Sequence, residues 1–140
     1  MGIQEMRKIK YRAWDDINRI MYYNIMVGGF DDTVSLVFID DEWKNLSGEE
    51  ILMQYTGLID RNGKEIYEGD LLQRVQEVGY LWKVKFGEWC DGSKSSIGFY
   101  LERHPMITWN DSKYLDIDIK KAIKSLKVIG NIYENPELLK

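Results

Sequence analysis

The stretch from Tyr55 to Asp70 constrains the fold of this chain more than any other. Asn62-Gly63 sits at its centre and is a tight-turn signal, because both residues tolerate φ > 0. Leu58-Ile59 and Ile66-Tyr67 flank the pair as the two sides of a hairpin. Gly57, Gly63 and Gly69 recur at even spacing. No Gly-Lys-Ser/Thr ending and no following helix accompany them, so they do not make a phosphate loop. They answer backbone needs, namely tight turns and close strand approach.

The rest of the chain reads as more short strands. Ile9, Tyr11 and Ala13 alternate with charged residues, a period of two. Asp15-Asp16-Ile17-Asn18 is turn chemistry, since short Asp and Asn side chains bond their own backbone. Residues 8–23 therefore read as a hairpin, and Val34 to Ile39 as a further strand. Ser47-Gly-Glu-Glu50 has the pattern of a helix capping box, with Ile51, Leu52 and Tyr55 as the buried face of a short helix. Gly69-Asp70 launches a strand over Leu71 to Val78, which reverses at Gly79-Tyr80. Leu81 to Phe86 returns with Trp82, Val84 and Phe86 on one face and Lys83 and Lys85 on the other. Gly87 to Gly98 reads as a loop, and Ile97 to Leu101 as a strand that ends at His104-Pro105. Residues 102–113 read as loop, anchored by Trp109. Ile119, Ile123 and Leu126 have helical spacing over a short segment. A last strand covers Leu126 to Tyr133, and Asn135-Pro136 opens a terminal helical stub. Many short strands with few short helices predict a single domain over residues 1–140, mainly β, built as a small barrel of short antiparallel strands.

Composition removes several function classes. The chain has 140 residues, one cysteine and one histidine. Cys90 cannot form an intrachain disulfide, and Cys90 with His104 cannot supply a zinc site of the usual ligands. No structural metal, no cofactor and no catalytic role for His104 are expected. The net charge of −4 is unevenly spread: residues 31–70 carry 3 basic and 11 acidic side chains. A protein gripping nucleic acid over its whole surface would show a basic excess instead. The dense basic cluster Lys120, Lys121, Lys124 and Lys127 reads as a solvated face. No apolar run approaches the ~20 residues of a membrane span, and Met1 to Lys10 lacks an apolar h-region. A cytoplasmic location is predicted, with no membrane contact.

Three blocks of this sequence resemble the YopX family of bacteriophage and prophage proteins. They are Lys10-Tyr-Arg-Ala-Trp14 with Met21-Tyr22-Tyr23, then Met53-Gln-Tyr-Thr-Gly57 through Ile66-Tyr-Glu-Gly-Asp70, and last Val128-Ile-Gly-Asn-Ile-Tyr-Glu-Asn-Pro-Glu-Leu-Leu139. The family-motif residues singled out are Tyr55, Gly57, Asp60, Asn62, Gly63, Ile66, Tyr67, Glu68, Gly69, Asp70, Gly130, Asn131, Tyr133, Asn135 and Pro136. Their expected role is structural. The resemblance implies a mainly-β fold with a small barrel, a phage or prophage origin and a bacterial host cytoplasm. It implies no established activity.

Each chemically suggestive group has a structural reading beside it. Asp60-Arg-Asn62-Gly63 begins like a calcium loop, but the glycine falls two positions early and Ile66 and Leu71 occupy ligand positions, so a hairpin turn is expected. Glu68 and Asp70 sit at strand spacing and are candidates for acid–base work, in an enzyme reading that ranks last. Carboxylates at such a turn commonly accept backbone N–H bonds. Glu88 and Asp91 beside Cys90 would raise its thiol pKa, against a reactive role. Four Phe, nine Tyr and five Trp make an aromatic excess. Some of these rings are expected at the surface, where interfaces enrich Tyr, Trp, Phe and Met. The candidate surface is Trp82, Trp89, Tyr100 and Trp109 with Lys83, Lys85, Lys94 and Arg103. It predicts a non-enzymatic, self-associating module or one that binds a phage or host protein. The alternative is stacking of single-stranded nucleic acid on the same rings.

Overall fold

The computed structural model describes residues 9–28, 34–39, 41–45, 49–74, 80–90, 95–105 and 116–139. Two compact units divide the chain, Met1–Gly57 and Leu58–Lys140. The secondary structure is mostly strand, in antiparallel sheets, with only short helical pieces. No helix among the described residues is long and apolar enough to cross a membrane.

In the first unit, β1 (Tyr11–Asp15) and β2 (Ile20–Gly28) form the hairpin that the alternation and the Asp-rich turn predict. Asp15 holds the turn: its Oδ1 accepts from Ile17 N and Asn18 N at 3.0 and 3.1 Å, and Oδ2 accepts from Asn18 Nδ2 at 2.8 Å. The Asn18 side-chain bond, then the backbone bonds, hold the Asp15 carboxyl below its usual range. β2 pairs with β3 (Val34–Ile39), and β3 with β4 (Glu42–Asn45). Ala13 and Ile25 are buried together under Tyr11 and Tyr22.

The helix predicted after residue 50 is instead a strand, β5 (Ile51–Ile59). It pairs with β1 from Trp14↔Ile51 to Tyr11↔Gln54, and Tyr55 N donates to Lys10 O at 2.8 Å. Met53 and Tyr55 are buried two residues apart, while Ile51 and Leu52 are exposed. That is the period of a strand, and the open edge of β1 supplies the partner. A nascent turn of helix has little to set against a full ladder, because nucleation fixes several residues for one hydrogen bond. Ser47 of the capping pattern lies outside the described residues. Within this unit the strands run in the order β4-β3-β2-β1-β5, and β6 (Glu65–Tyr67) belongs to the second unit.

β5 and β6 meet the Asn62-Gly63 signal as predicted, with one correction. Gly63 has φ +82°, but Asn62 is not left-handed, and Gly63 N donates to Asp60 O at 3.0 Å. The hairpin is closed by one left-handed residue, not by the two of a type I′ turn. A Cβ on Gly63 would meet nothing within 4 Å, so any substitution cost there is backbone strain alone. Gly63→Val is expected to lower stability by ~1 kcal/mol or more, read by urea denaturation. An unchanged midpoint would contradict the left-handed turn.

The second unit is built on a sheet of order β10-β9-β8-β7-β11. Its strands are β7 (Asp70–Arg74), β8 (Tyr80–Cys90), β9 (Ser95–Pro105), β10 (Asp116–Asp118) and β11 (Leu126–Asn131). The α-helix α1 (Ile119–Ala122) and a 3₁₀ turn over Ile123–Ser125 link β10 to β11. Asp118 caps α1 through Lys120 N. Ile66, Leu72, Trp82, Val84, Leu101, Ile119 and Leu126 form the core, with Leu58, Phe99, Ile123 and Val128 packed against it. Full burial of each Leu or Ile there is worth ~1.5–3 kcal/mol.

The predicted loop over Gly87 to Gly98 is a second correction. β8 runs on to Cys90, β9 starts at Ser95, and the ladder is unbroken from Tyr80↔Pro105 to Cys90↔Ser95. Gly87 lies opposite Gly98, with φ +150° and +154°. Both glycines take a conformation that other residues avoid, and they sit within the ladder where they had read as breaks. Glu102 to Pro105, expected as loop, also belongs to β9, whereas 106–113, with Trp109, lie outside the described residues.

Candidate partner surface and motif clamp

Several family-motif residues of the second unit, among them Asp60, Asp70, Asn131 and Asn135, come together as a clamp of backbone hydrogen bonds. Asp60 is 5% exposed and accepts three of them. Its Oδ1 takes Asn62 N at 2.8 Å and Lys64 N at 2.9 Å, and its Oδ2 takes Val128 N at 2.8 Å, 68 residues away. Arg61 N donates to Leu126 O beside it, at 3.1 Å. Burial pushes the Asp60 carboxyl up. The N–H groups of Val128, Lys64 and Asn62 and the Lys64 charge outweigh it, and the net pKa is lowered. A carboxylate held this way stays ionised near neutrality and has committed lone pairs.

Asp70 repeats the device one turn later. It is 2% exposed, and its Oδ2 accepts Tyr67 N at 2.8 Å. Gly69 N donates to Val84 O at 2.9 Å, and Gly69 O accepts Ile132 N at 3.0 Å. Asn131, also buried, turns the chain out of β11: its Oδ1 accepts Tyr133 N and Glu134 N, and its Nδ2 donates to Glu134 Oε1. Asn135 closes back, with Oδ1 accepting Asn131 N at 3.2 Å and its own N–H donating to Asn131 O at 3.0 Å. Gly130 is there because a Cβ would stand 2.5 Å from Asn135 Oδ1. The 3₁₀ turn Pro136–Leu139 ends this block, and His104 Nε2–H donates to Leu139 O at 3.0 Å. His104 therefore ties the terminal turn to β9. Glu68 is half-buried beside these residues. No group of three or more metal-ligating side chains occurs among the described residues.

The aromatic and basic candidates divide across the two faces of the β8–β9 ladder. Trp82 lies opposite Arg103, so these share one face with Val84 and Leu101. Lys83 lies opposite Glu102 and Lys85 opposite Tyr100, so these share the other face with Trp89. Trp82 at 5% and Tyr100 at 8% exposure are buried, so neither ring offers a face for base stacking. Trp82 fills the core, and Trp89 stacks on Tyr100 with ring centroids 6.1 Å apart. Lys85 and Lys83 share Glu102 at 3.1 and 4.0 Å, and Arg103 stands 4.8 Å over the Tyr80 ring. Lys94 and Trp109 lie outside the described residues. Cys90 is a free, exposed thiol.

Residues not singled out from the sequence prove exposed instead. Ile97 is 81% and Phe86 53% exposed, on the face that carries Val84 and Leu101 into the core. Phe86 meets Phe99 edge-on at 4.9 Å. The apolar stripe of this face thus outruns the core it begins in. Period-two alternation marks Phe86 as inward, and nothing local tells where the core ends.

The fold resembles a solved one. A crystal structure of protein EF1440 from Enterococcus faecalis superposes with a TM-score of 0.57 over 96% of this chain and 100% of that one, at 23% identity. No curated protein matches the sequence. The YopX protein family model matches residues 10–140, which include all three motif blocks, and the chain belongs to the YopX family.

Proposed function

We propose that this YopX chain is a non-enzymatic phage or prophage protein of the bacterial host cytoplasm that works by protein–protein contact, and that it self-associates. The observation that carries this reading is the exposed end of the β8–β9 stripe, where Phe86 and Ile97 continue a core face into solvent. Contiguous exposed apolar surface of this kind marks interaction sites. A specific interface needs about 800 Å² and 20–30 residues from each side. The described residues around this end, Phe86–Cys90 and Ser95–Phe99, are too few to reach that alone. Most soluble oligomers are closed homo-oligomers, which favours a second copy of this chain as the partner. The acidic balance of residues 31–70 against the basic Lys120–Lys127 segment gives such a pair a means of orientation. Against chemistry at Asp60 and Asp70 stands their use as backbone acceptors. Against base stacking stands the burial of Trp82 and Tyr100.

Light scattering coupled to size-exclusion chromatography at micromolar concentration tests the reading. The wild type is expected at twice the chain mass or more. The double variant Phe86→Ser, Ile97→Asp is expected at one chain mass with an unchanged circular dichroism spectrum. A wild type of one chain mass across the concentration range would contradict self-association.

A further inference from the structure

The turn between β5 and β6 joins a reactive pair of residues to one of the carboxylates that mark the family. Of the seven asparagines in the chain, Asn62 is the one followed by glycine. Asn62 is exposed, and a Cβ built on Gly63 would meet nothing within 4 Å, so no neighbouring group shields the pair on that side. A side-chain amide and the backbone nitrogen that follows it are the two halves of a ring closure. Asp60 opposes that closure. Gly63 N donates to Asp60 O at 3.0 Å, and the amides on either side, Asn62 N and Lys64 N, both donate to Asp60 Oδ1, at 2.8 and 2.9 Å.

We propose that Asn62 is a site of spontaneous covalent modification, converting through a succinimide to aspartate and isoaspartate, and that Asp60 sets its rate. In the ring closure Gly63 N gives up its proton to water or hydroxide and attacks Asn62 Cγ. The new N–Cγ bond replaces the Cγ–Nδ2 bond, and Nδ2 takes up a proton and leaves as ammonia. Water then opens the ring. Attack at Cγ restores the normal backbone with aspartate at position 62, and attack at the main-chain carbonyl carbon leaves the backbone running through the side chain, as isoaspartate. Every atom comes from residues 62–63 and water. Glycine favours the closure because its bare Cα lets the nitrogen swing toward Cγ. That swing breaks the bond from Gly63 N to Asp60 O, while Oδ1 fixes the peptide units on both sides. The ionised carboxylate also disfavours a second negative charge on the Gly63 nitrogen. The product acts back on the clamp. Isoaspartate lengthens the main chain between two amides that share one oxygen, so Oδ1 cannot keep both, and either product adds a carboxylate beside Asp60. The site is independent of the Phe86 and Ile97 patch and does not require self-association.

The test follows the chemistry by mass. Folded protein is held in mildly alkaline buffer, sampled over time and cut with a glutamate-specific protease, which releases residues 51–65 as one fragment. The exchange of an amide for a carboxyl raises the fragment mass, fragmentation places the gain at residue 62, and chromatography separates aspartate from isoaspartate. The gain is expected at Asn62, with the other asparagines unchanged over the same time. The same chain unfolded in urea is expected to react about tenfold faster or more, the rate equivalent of the hydrogen bonding that the ring closure must break. Asp60→Ala is expected to recover most of that difference while still folded, and Asp60→Asn serves if Asp60→Ala does not fold. Val84→Ala, which weakens the core without touching the turn, is expected to react like the wild type. Protein aged until isoaspartate dominates is expected to unfold at lower urea than fresh protein. The proposal is overturned if Asn62 is unchanged in the folded chain while the unfolded chain reacts, if folded and unfolded chains react alike, or if the Asp60 and Val84 variants raise the rate equally. Equal urea midpoints of fresh and aged protein overturn the effect on the clamp.

Discussion

Asp60→Ala is expected to cost about 3 kcal/mol of stability. The carboxylate accepts three backbone N–H groups. A hydrogen bond to a charged group contributes ~1.5–3 kcal/mol, and a buried donor left without a partner costs ~1–3 kcal/mol. Asn62 and Lys64 lie in an exposed turn, where water can replace part of the loss. Val128 N, half-buried in β11, has no such recourse, so it dominates. Asp60→Asn keeps one acceptor oxygen and is expected to lose roughly half as much. The same carboxylate sets an acid limit. Its folded pKa is depressed, so its contribution is complete above the unfolded value near 3.8 and is lost as pH falls through the folded value. Urea midpoints measured from pH 6 down to pH 2.5 should fall in the wild type and fall less steeply in Asp60→Asn. Parallel curves would contradict the assignment.

Gly130→Ala is expected to cost about 2 kcal/mol, the range of overpacking in a site that cannot spread. The new methyl would stand 2.5 Å from Asn135 Oδ1, 2.8 Å from its Cγ and 3.1 Å from its Cβ. Rotating the amide away relieves the first two contacts and gives up the bond from Asn131 N. The contact with Cβ requires backbone movement as well. In an Asn135→Ala background most of the clash is gone, so adding Gly130→Ala should cost less than half as much. Equal costs in both backgrounds would mean that Asn135 is not what Gly130 makes room for. Denaturation of the four proteins in one cycle supplies the comparison.

What could be read from the sequence was local. The Asp15–Asn18 and Asn62-Gly63 turns are written in adjacent residues, and so are the alternating strands beside them. The segment 51–55 was misread because a capping pattern at Ser47–Glu50 is also local, whereas the strand depends on β1, some forty residues earlier. Gly87 and Gly98 read as breaks because their pairing across a ladder is invisible in one dimension. Tyr100 and Trp82 carry the same side-chain chemistry whether buried or exposed, so the candidate surface could not be drawn from composition. Asp60 could be marked in the sequence, but what it holds, Val128 N, is a group that chain order keeps apart from it.

The central claim is that the residues marking the family build a clamp between residues 60–70 and 126–135, and hydrogen exchange at the Val128 amide tests it most directly. In the wild type at neutral pH this amide should exchange as slowly as the amides of β7 and β8 that open only on global unfolding. In Asp60→Asn it should speed up selectively, with Leu72 and Val84 amides following the smaller global change. A Val128 amide that exchanges in the wild type at the rate of an unprotected one, while β7 and β8 stay protected, would contradict the clamp.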